Sequence, residues 1–121
     1  MPEKPSAFAT LVRQAKARIQ AIDAADLAGV LQREPKAVVI DTREREEYDA
    51  GHVAGAIWLG KGIIERDIES TVPEHDRPIF LYCGGGSRSA LAADNVQKMG
   101  YTRVFNVEGG WRALKQLVPT E

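Results

Sequence analysis

One cysteine occurs in the chain, Cys83, and its neighbours are those a reactive sulfur needs. It follows the apolar run Pro78-Ile79-Phe80-Leu81-Tyr82 and precedes Gly84-Gly85-Gly86-Ser87-Arg88-Ser89. Sulfur attacks as the thiolate, and a thiolate forms at neutral pH only where the surroundings favour negative charge. A glycine-rich loop entering a helix supplies such surroundings: successive amides of Gly84 to Ser89 can point inward, and the first helical turn adds unpaired donors and the positive end of the dipole. Arg88 contributes a cation, and Ser87 and Ser89 contribute hydroxyl donors. A cation at a helix N-terminus opposes the dipole unless an anion accompanies it, so Arg88 itself argues for an anion site. The competing reading is a buried cysteine that merely closes a strand before a turn.

Other candidates carry weaker signals. Asp41 and Arg43 follow the apolar run Ala37–Ile40; they could line the site, or pair with each other and cap the next helix. His52 lies in the turn Gly51–Gly55, where a hydrogen-bonded structural role is expected, since a cysteine already held as thiolate needs no base partner. His75 sits in a polar loop, and Trp58 and Trp111 read as core or site-wall residues. One cysteine and two scattered histidines make no metal-ligand spacing, and no cofactor is expected.

The elements that must position Cys83 follow from periodicity and punctuation. Ser6 is placed to cap a helix over Ala7 to Ala17, whose Phe8, Leu11, Val12 and Ala15 share a face expected to dock on the domain. Ile19 to Ile22 reads as a strand, and Asp23 as the N-cap of a helix from Ala24 to Gln32. Ala37 to Ile40 has the unbroken apolar character of a parallel strand buried on both faces. A short helix, Glu44 to Ala50, a strand, Ala56 to Leu59, and a helix, Lys61 to Ser70, come next. The Cys83 strand and its helix run to Gly100, followed by a strand, Val104 to Val107, and a helix, Trp111 to Leu117. This alternation implies a single α/β domain over 1–121, with a central, mostly parallel sheet of about five strands and helices on both faces. Ligands of such sheets bind beyond the carboxyl ends of the strands, where Asp41, Cys83 and Glu108 all fall.

Composition narrows the classes of function. At 121 residues with a formal charge of −1, the chain offers no field for nucleic acid or anionic lipid, so neither is an expected partner. No stretch is long and apolar enough for a membrane span, and Met1 to Gln20 lacks the apolar core of a signal peptide. A lone thiol meant to react survives best in a reducing compartment, which implies the cytoplasm.

Four ordered segments carry a family resemblance: Asp41-Thr42-Arg43-Glu44, Glu47-Tyr48-x-x-Gly51-His52-x-x-Gly55-Ala56, Cys83-x-x-Gly86-x-Arg88-Ser89, and Glu108-Gly109-Gly110-Trp111. Together, from about Ala21 to Leu117, they resemble the rhodanese-like domain family of sulfurtransferases. The resemblance implies that Cys83 takes a sulfur atom from thiosulfate or a persulfide and passes it to cyanide, a thiol or a protein acceptor. Gly84 to Ser89 would bind the substrate, and Asp41 and Arg43 would support the loop. A non-catalytic sulfur carrier or regulatory interaction module is the alternative. A cysteine-dependent phosphatase or arsenate reductase ranks lower, because phosphatases use a C-x5-R loop and this one is C-x4-R. The sequence departs from the family at Gly84 and Gly85, where thiosulfate-using members often place Arg or Lys after the cysteine. On that ground thiosulfate is expected to be a poor donor.

Overall fold

The computed structural model describes residues 6–121, so residues 1–5 of the domain expected over 1–121 lie outside it. Helices and strands alternate as α1 (Ala7–Arg18), β1 (Gln20–Asp23), α2 (Ala24–Arg33), β2 (Val38–Asp41), α3 (Arg45–Ala50), β3 (Ile57–Trp58), α4 (Ile64–Thr71), β4 (Ile79–Tyr82), α5 (Ser87–Lys98), β5 (Val104–Glu108) and α6 (Gly110–Leu114). The five strands form one parallel sheet in the order β1-β5-β4-β2-β3, which makes β4, the strand leading to Cys83, the central one.

Apolar runs become β2 and β4 because both sheet faces are covered, and every residue of both strands is buried. Their register pairs Val38 with Ile79, Val39 with Phe80 and Ile40 with Leu81, so paired side chains point to the same face. Val38, Ile40, Ile79 and Leu81 pack with Ile64 and Ile68 of α4 and with Ala92, Ala93 and Val96 of α5. Val39, Phe80 and Tyr82 pack on the opposite face with Ala24 and Leu27 of α2 and Leu114 of α6. Each fully buried Ile, Leu or Phe contributes about 1.5–3 kcal/mol. That packing grips β4 from both sides and fixes where its carboxyl end delivers Cys83.

Some expectations change at the element ends. Ser6 caps α1 by accepting the Ala9 amide at 3.0 Å. The face of α1 that packs inward is narrower than expected: Val12 and Ala15 are buried, but Phe8 and Leu11 remain about half exposed. Phe8 and Leu11 lie in the first half of α1, away from the end that Arg18 ties down. The inner end of α1 is tied down by Arg18, which donates to both carboxylate oxygens of Asp94 at 3.0 and 2.7 Å. Asp23 occupies the N-cap position of α2 without making a side-chain cap bond. Glu44 and Glu47 cap α3 reciprocally, so the Asp41–Arg43 pair is not its cap. The helix expected from Lys61 begins at Ile64, because Gly60 accepts from both the Ile63 and Ile64 amides and tightens the preceding turn.

Candidate active site

Cys83 is the first residue beyond β4 and is buried. The Gly86 amide donates to its Sγ at 3.1 Å, and the Ser89 hydroxyl lies 3.5 Å from the same atom. Gly86 is the N-cap of α5 with φ of +107°, a conformation that L side chains rarely adopt, and it is this turn that aims the amide back at the sulfur. Gly84 and Gly85 do not share the positive φ, so the need for glycine in the loop backbone falls on Gly86. Ser87 opens α5, and Ser89, in the first turn of that helix, is fully buried.

The loop is held from behind by the start of α6. Trp111 donates its amide to the Cys83 carbonyl at 2.7 Å, and Arg112 donates to the Gly84 carbonyl at 3.3 Å. With these carbonyls engaged on the α6 side, the Gly86 amide is left to face the sulfur. Gly110 makes the approach feasible: a Cβ there would lie 2.8 Å from the Gly84 carbonyl oxygen and closer still to that of Cys83. Gly110 and the Trp111 amide thus serve the Cys83 loop, whereas a Cβ on Gly109 would meet Ala113 and Ala24; the sequence signals the role of Gly110 only by two adjacent glycines.

Burial pushes the Cys83 thiol up, but the Ser89 hydroxyl and the amides of Ser89, Gly86 and Gly85 outweigh it and hold the group below its ordinary range. Ser89 has one proton to give, and its oxygen also lies 2.6 Å from Asn106 Oδ1. Asn106 donates through Nδ2 to the Gly86 carbonyl at 3.2 Å and to Glu108 Oε1 at 3.3 Å, which orients its Oδ1 toward Ser89. Sequence reasoning missed this fully buried asparagine; its one signal is a polar residue inside the apolar strand Val104–Val107.

Arg88 lies beside the loop, with Nη2 3.2 Å from the position a Gly84 Cβ would take. Its guanidinium is engaged by Glu47, at 2.8 and 3.4 Å, and that hydrogen bond holds the Glu47 carboxyl below its usual range. The cation expected to belong to the sulfur is therefore shared with a carboxylate of α3, and the hydroxyl and amide donors carry the larger share of the thiolate's support.

Asp41 and Arg43 do not touch Cys83. Both are buried and pair with each other at 2.7 Å; the Tyr82 hydroxyl donates to Asp41 Oδ2 at 2.7 Å, and Arg43 donates to the Gly51 carbonyl at 2.6 Å. Burial lowers the pKa of Arg43, but the bond and charge of Asp41 prevail and keep it above the ordinary value. The guanidinium also lies 4.7 Å from the centre of the Trp111 ring. This cluster therefore joins Tyr82, which precedes Cys83, to Trp111, which bonds the Cys83 carbonyl. His52 stacks on Tyr48 with ring centres 3.7 Å apart, its Nδ1 2.9 Å from the Tyr48 carbonyl. Among the described residues no group of three or more His, Cys, Asp or Glu could hold a metal, and no helix is long and apolar enough to cross a membrane.

Known proteins share this fold. A protein of unknown function from Rhodopseudomonas palustris, described as a possible tyrosine phosphatase, superposes with a TM-score of 0.84 at 29% identity, covering 100% of this chain and 99% of that one. A rhodanese with anions from E. coli superposes with a TM-score of 0.63 at 32% identity, over 70% of this chain and 96% of that one. YrkF of Bacillus subtilis, described as a candidate sulfur carrier protein, is 35% identical over 74 residues, 61% of this chain and 39% of its own length. The match spans from 26% to 60% of the length of the first curated relatives. The rhodanese-like domain family itself matches residues 23–117, a stretch that takes in the Asp41–Arg43 cluster, the Cys83 loop and the Gly109-Gly110-Trp111 brace. The protein belongs to the rhodanese-like domain family.

Proposed function

We propose that the protein is a sulfurtransferase in which Cys83 carries the transferred sulfur as a persulfide. The observation that supports this most directly is the sulfur's setting: a buried Sγ that receives the Gly86 amide at 3.1 Å and whose thiol is held below its ordinary range. In the first half-reaction the Cys83 thiolate attacks the outer sulfur of a donor, either thiosulfate or a persulfide. A new S–S bond forms, the donor's own S–S bond breaks, and sulfite or a thiolate leaves with the electron pair. In the second, cyanide or an acceptor thiolate attacks the outer sulfur, and Cys83 departs as the thiolate it was. The donors around Sγ suit both states, because thiolate and persulfide each present a negative sulfur to the loop.

Gly84 to Ser89 form the substrate-binding loop in this reading, and Asp41 and Arg43 act as supports through Tyr82 and Trp111. The acceptor is a small thiol, cyanide or a protein thiol. A reducing compartment such as the cytoplasm suits a lone reactive cysteine. A sulfur-carrier role, the description attached to YrkF, would use the same persulfide without turnover of small donors. Phosphoryl transfer is favoured by one observation, the description attached to the Rhodopseudomonas palustris structure. Against it, Arg88 is occupied by Glu47, leaving that guanidinium less available to clasp a phosphoryl group.

Intact-mass measurement tests the reading. Because no second cysteine exists to displace it, a persulfide on Cys83 waits for an external acceptor. Incubation with donor alone is expected to add one sulfur atom to the peptide containing Cys83, cyanide or a thiol to remove it, and Cys83→Ser to abolish both. No added sulfur from thiosulfate, glutathione persulfide or mercaptopyruvate, together with turnover of an aryl phosphate, would overturn it.

A further inference from the structure

The loop after Cys83 carries no cationic side chain at Gly84 or Gly85, yet the structure places a cation there from another element. Arg112, the third residue of α6, brings Nη1 to 3.5 Å and Cζ to 3.9 Å from the position a Cβ on Gly85 would take. Its guanidinium thus occupies the space into which a side chain at residue 85 would grow. Gly85 is the exposed residue of the loop, and Arg112 is exposed as well, so the cation stands at the mouth of the site and not in the core.

The charges around this mouth are otherwise compensated. Arg88 is paired with Glu47, and Glu108, whose Oε2 would lie 3.4 Å from a Cβ on Gly86, is paired with Lys16 at 3.2 Å. None of the ion pairs among the described residues uses Arg112. Its position is set by the backbone: the Arg112 amide is bonded to the Gly84 carbonyl, which fixes the root of the side chain against the loop. A planar guanidinium of this kind matches the paired oxygens of a sulfonate or carboxylate.

We infer that Arg112 is a specificity-determining residue that receives the anionic, non-transferred end of the sulfur donor at the mouth of the Cys83 loop. The inference rests on the sulfurtransferase reading and extends it: the fitting donors are small anions, such as thiosulfate or a carboxylate-bearing persulfide, in preference to neutral persulfides. On this inference thiosulfate need not be the poor donor expected from the lack of a cationic side chain at Gly84 and Gly85.

Two measurements test it, one of them independent of sulfur transfer. Cys83 is alkylated by anionic iodoacetate and by neutral iodoacetamide, and the ratio of the two rates reports the charge at the mouth. Arg112→Gln is expected to lower that ratio roughly three- to tenfold, with the effect fading as salt is raised, while Arg112→Lys restores most of it. The KM for thiosulfate should rise by a similar factor in Arg112→Gln. Lys115→Gln, which removes the same charge farther along the chain from the loop, should keep the wild-type ratio. A wild-type ratio and a wild-type KM in Arg112→Gln would overturn the inference, and so would an equal fall in Lys115→Gln. If no donor adds sulfur to the wild-type protein, the sulfurtransferase reading fails while the alkylation ratio still judges Arg112.

Discussion

Ser89→Ala isolates the hydroxyl that supports the Cys83 thiolate. A hydrogen bond to a charged group is worth about 1.5–3 kcal/mol, and about 1.36 kcal/mol corresponds to one pKa unit. Here the Ser89 oxygen is 3.5 Å from Sγ and 2.6 Å from Asn106 Oδ1, so its proton is divided and the lower end applies. The thiol pKa should rise by roughly one unit in Ser89→Ala, with the Gly86 amide still in place. Iodoacetamide alkylation followed against pH reads the midpoint directly, because the chain has one cysteine and all the signal is Cys83. Ser87→Ala, whose hydroxyl makes no bond to Sγ, should keep the wild-type midpoint. The shift has a thermodynamic counterpart. The folded thiol pKa lies below its unfolded value, so its stabilising contribution is full above the unfolded pKa and is lost as pH falls through the folded pKa. The stability of wild type relative to Cys83→Ser should therefore rise with pH across this window, and Ser89→Ala should narrow the window from below. Coincident alkylation midpoints for wild type and Ser89→Ala would refute the assignment of the hydroxyl to the sulfur.

Gly110→Ala should destabilise the fold by about 2–4 kcal/mol in urea denaturation and depress sulfur transfer, since its φ of +53° is strained for alanine and the new Cβ meets two loop carbonyls. Gly62→Ala, with nothing within 4 Å of the added carbon, should stay within about 0.5 kcal/mol of wild type, and equal effects at the two sites would sink the bracing argument. Asp41→Ala leaves Arg43 buried without its partner and should cost about 3–5 kcal/mol; a loss well under 1 kcal/mol would show that the pair does not support the loop.

The order of elements, the parallel sheet and the place of the Cys83 loop between a strand and a helix were legible in the chain itself, because each rests on local signals. Val38-Val39-Ile40 and Ile79–Tyr82 are apolar without alternation, a pattern that only a strand covered on both faces tolerates, and Cys83 followed by a glycine triplet marks its own loop. What depended on tertiary structure was which residues meet across long sequence separations. Asn106 reaches Ser89, Glu47 takes Arg88 and Arg112 stands over Gly85, three pairings separated by 17, 41 and 27 positions. No periodicity or punctuation encodes them, since each arises only when β5, α3 and α6 are brought beside the loop by packing elsewhere. The same holds for charge. Arg88 reads along the chain as the sulfur's cation, and its capture by Glu47 is decided by where α3 lies in space, which leaves a residue with no sequence signal, Arg112, as the uncompensated charge at the mouth of the site.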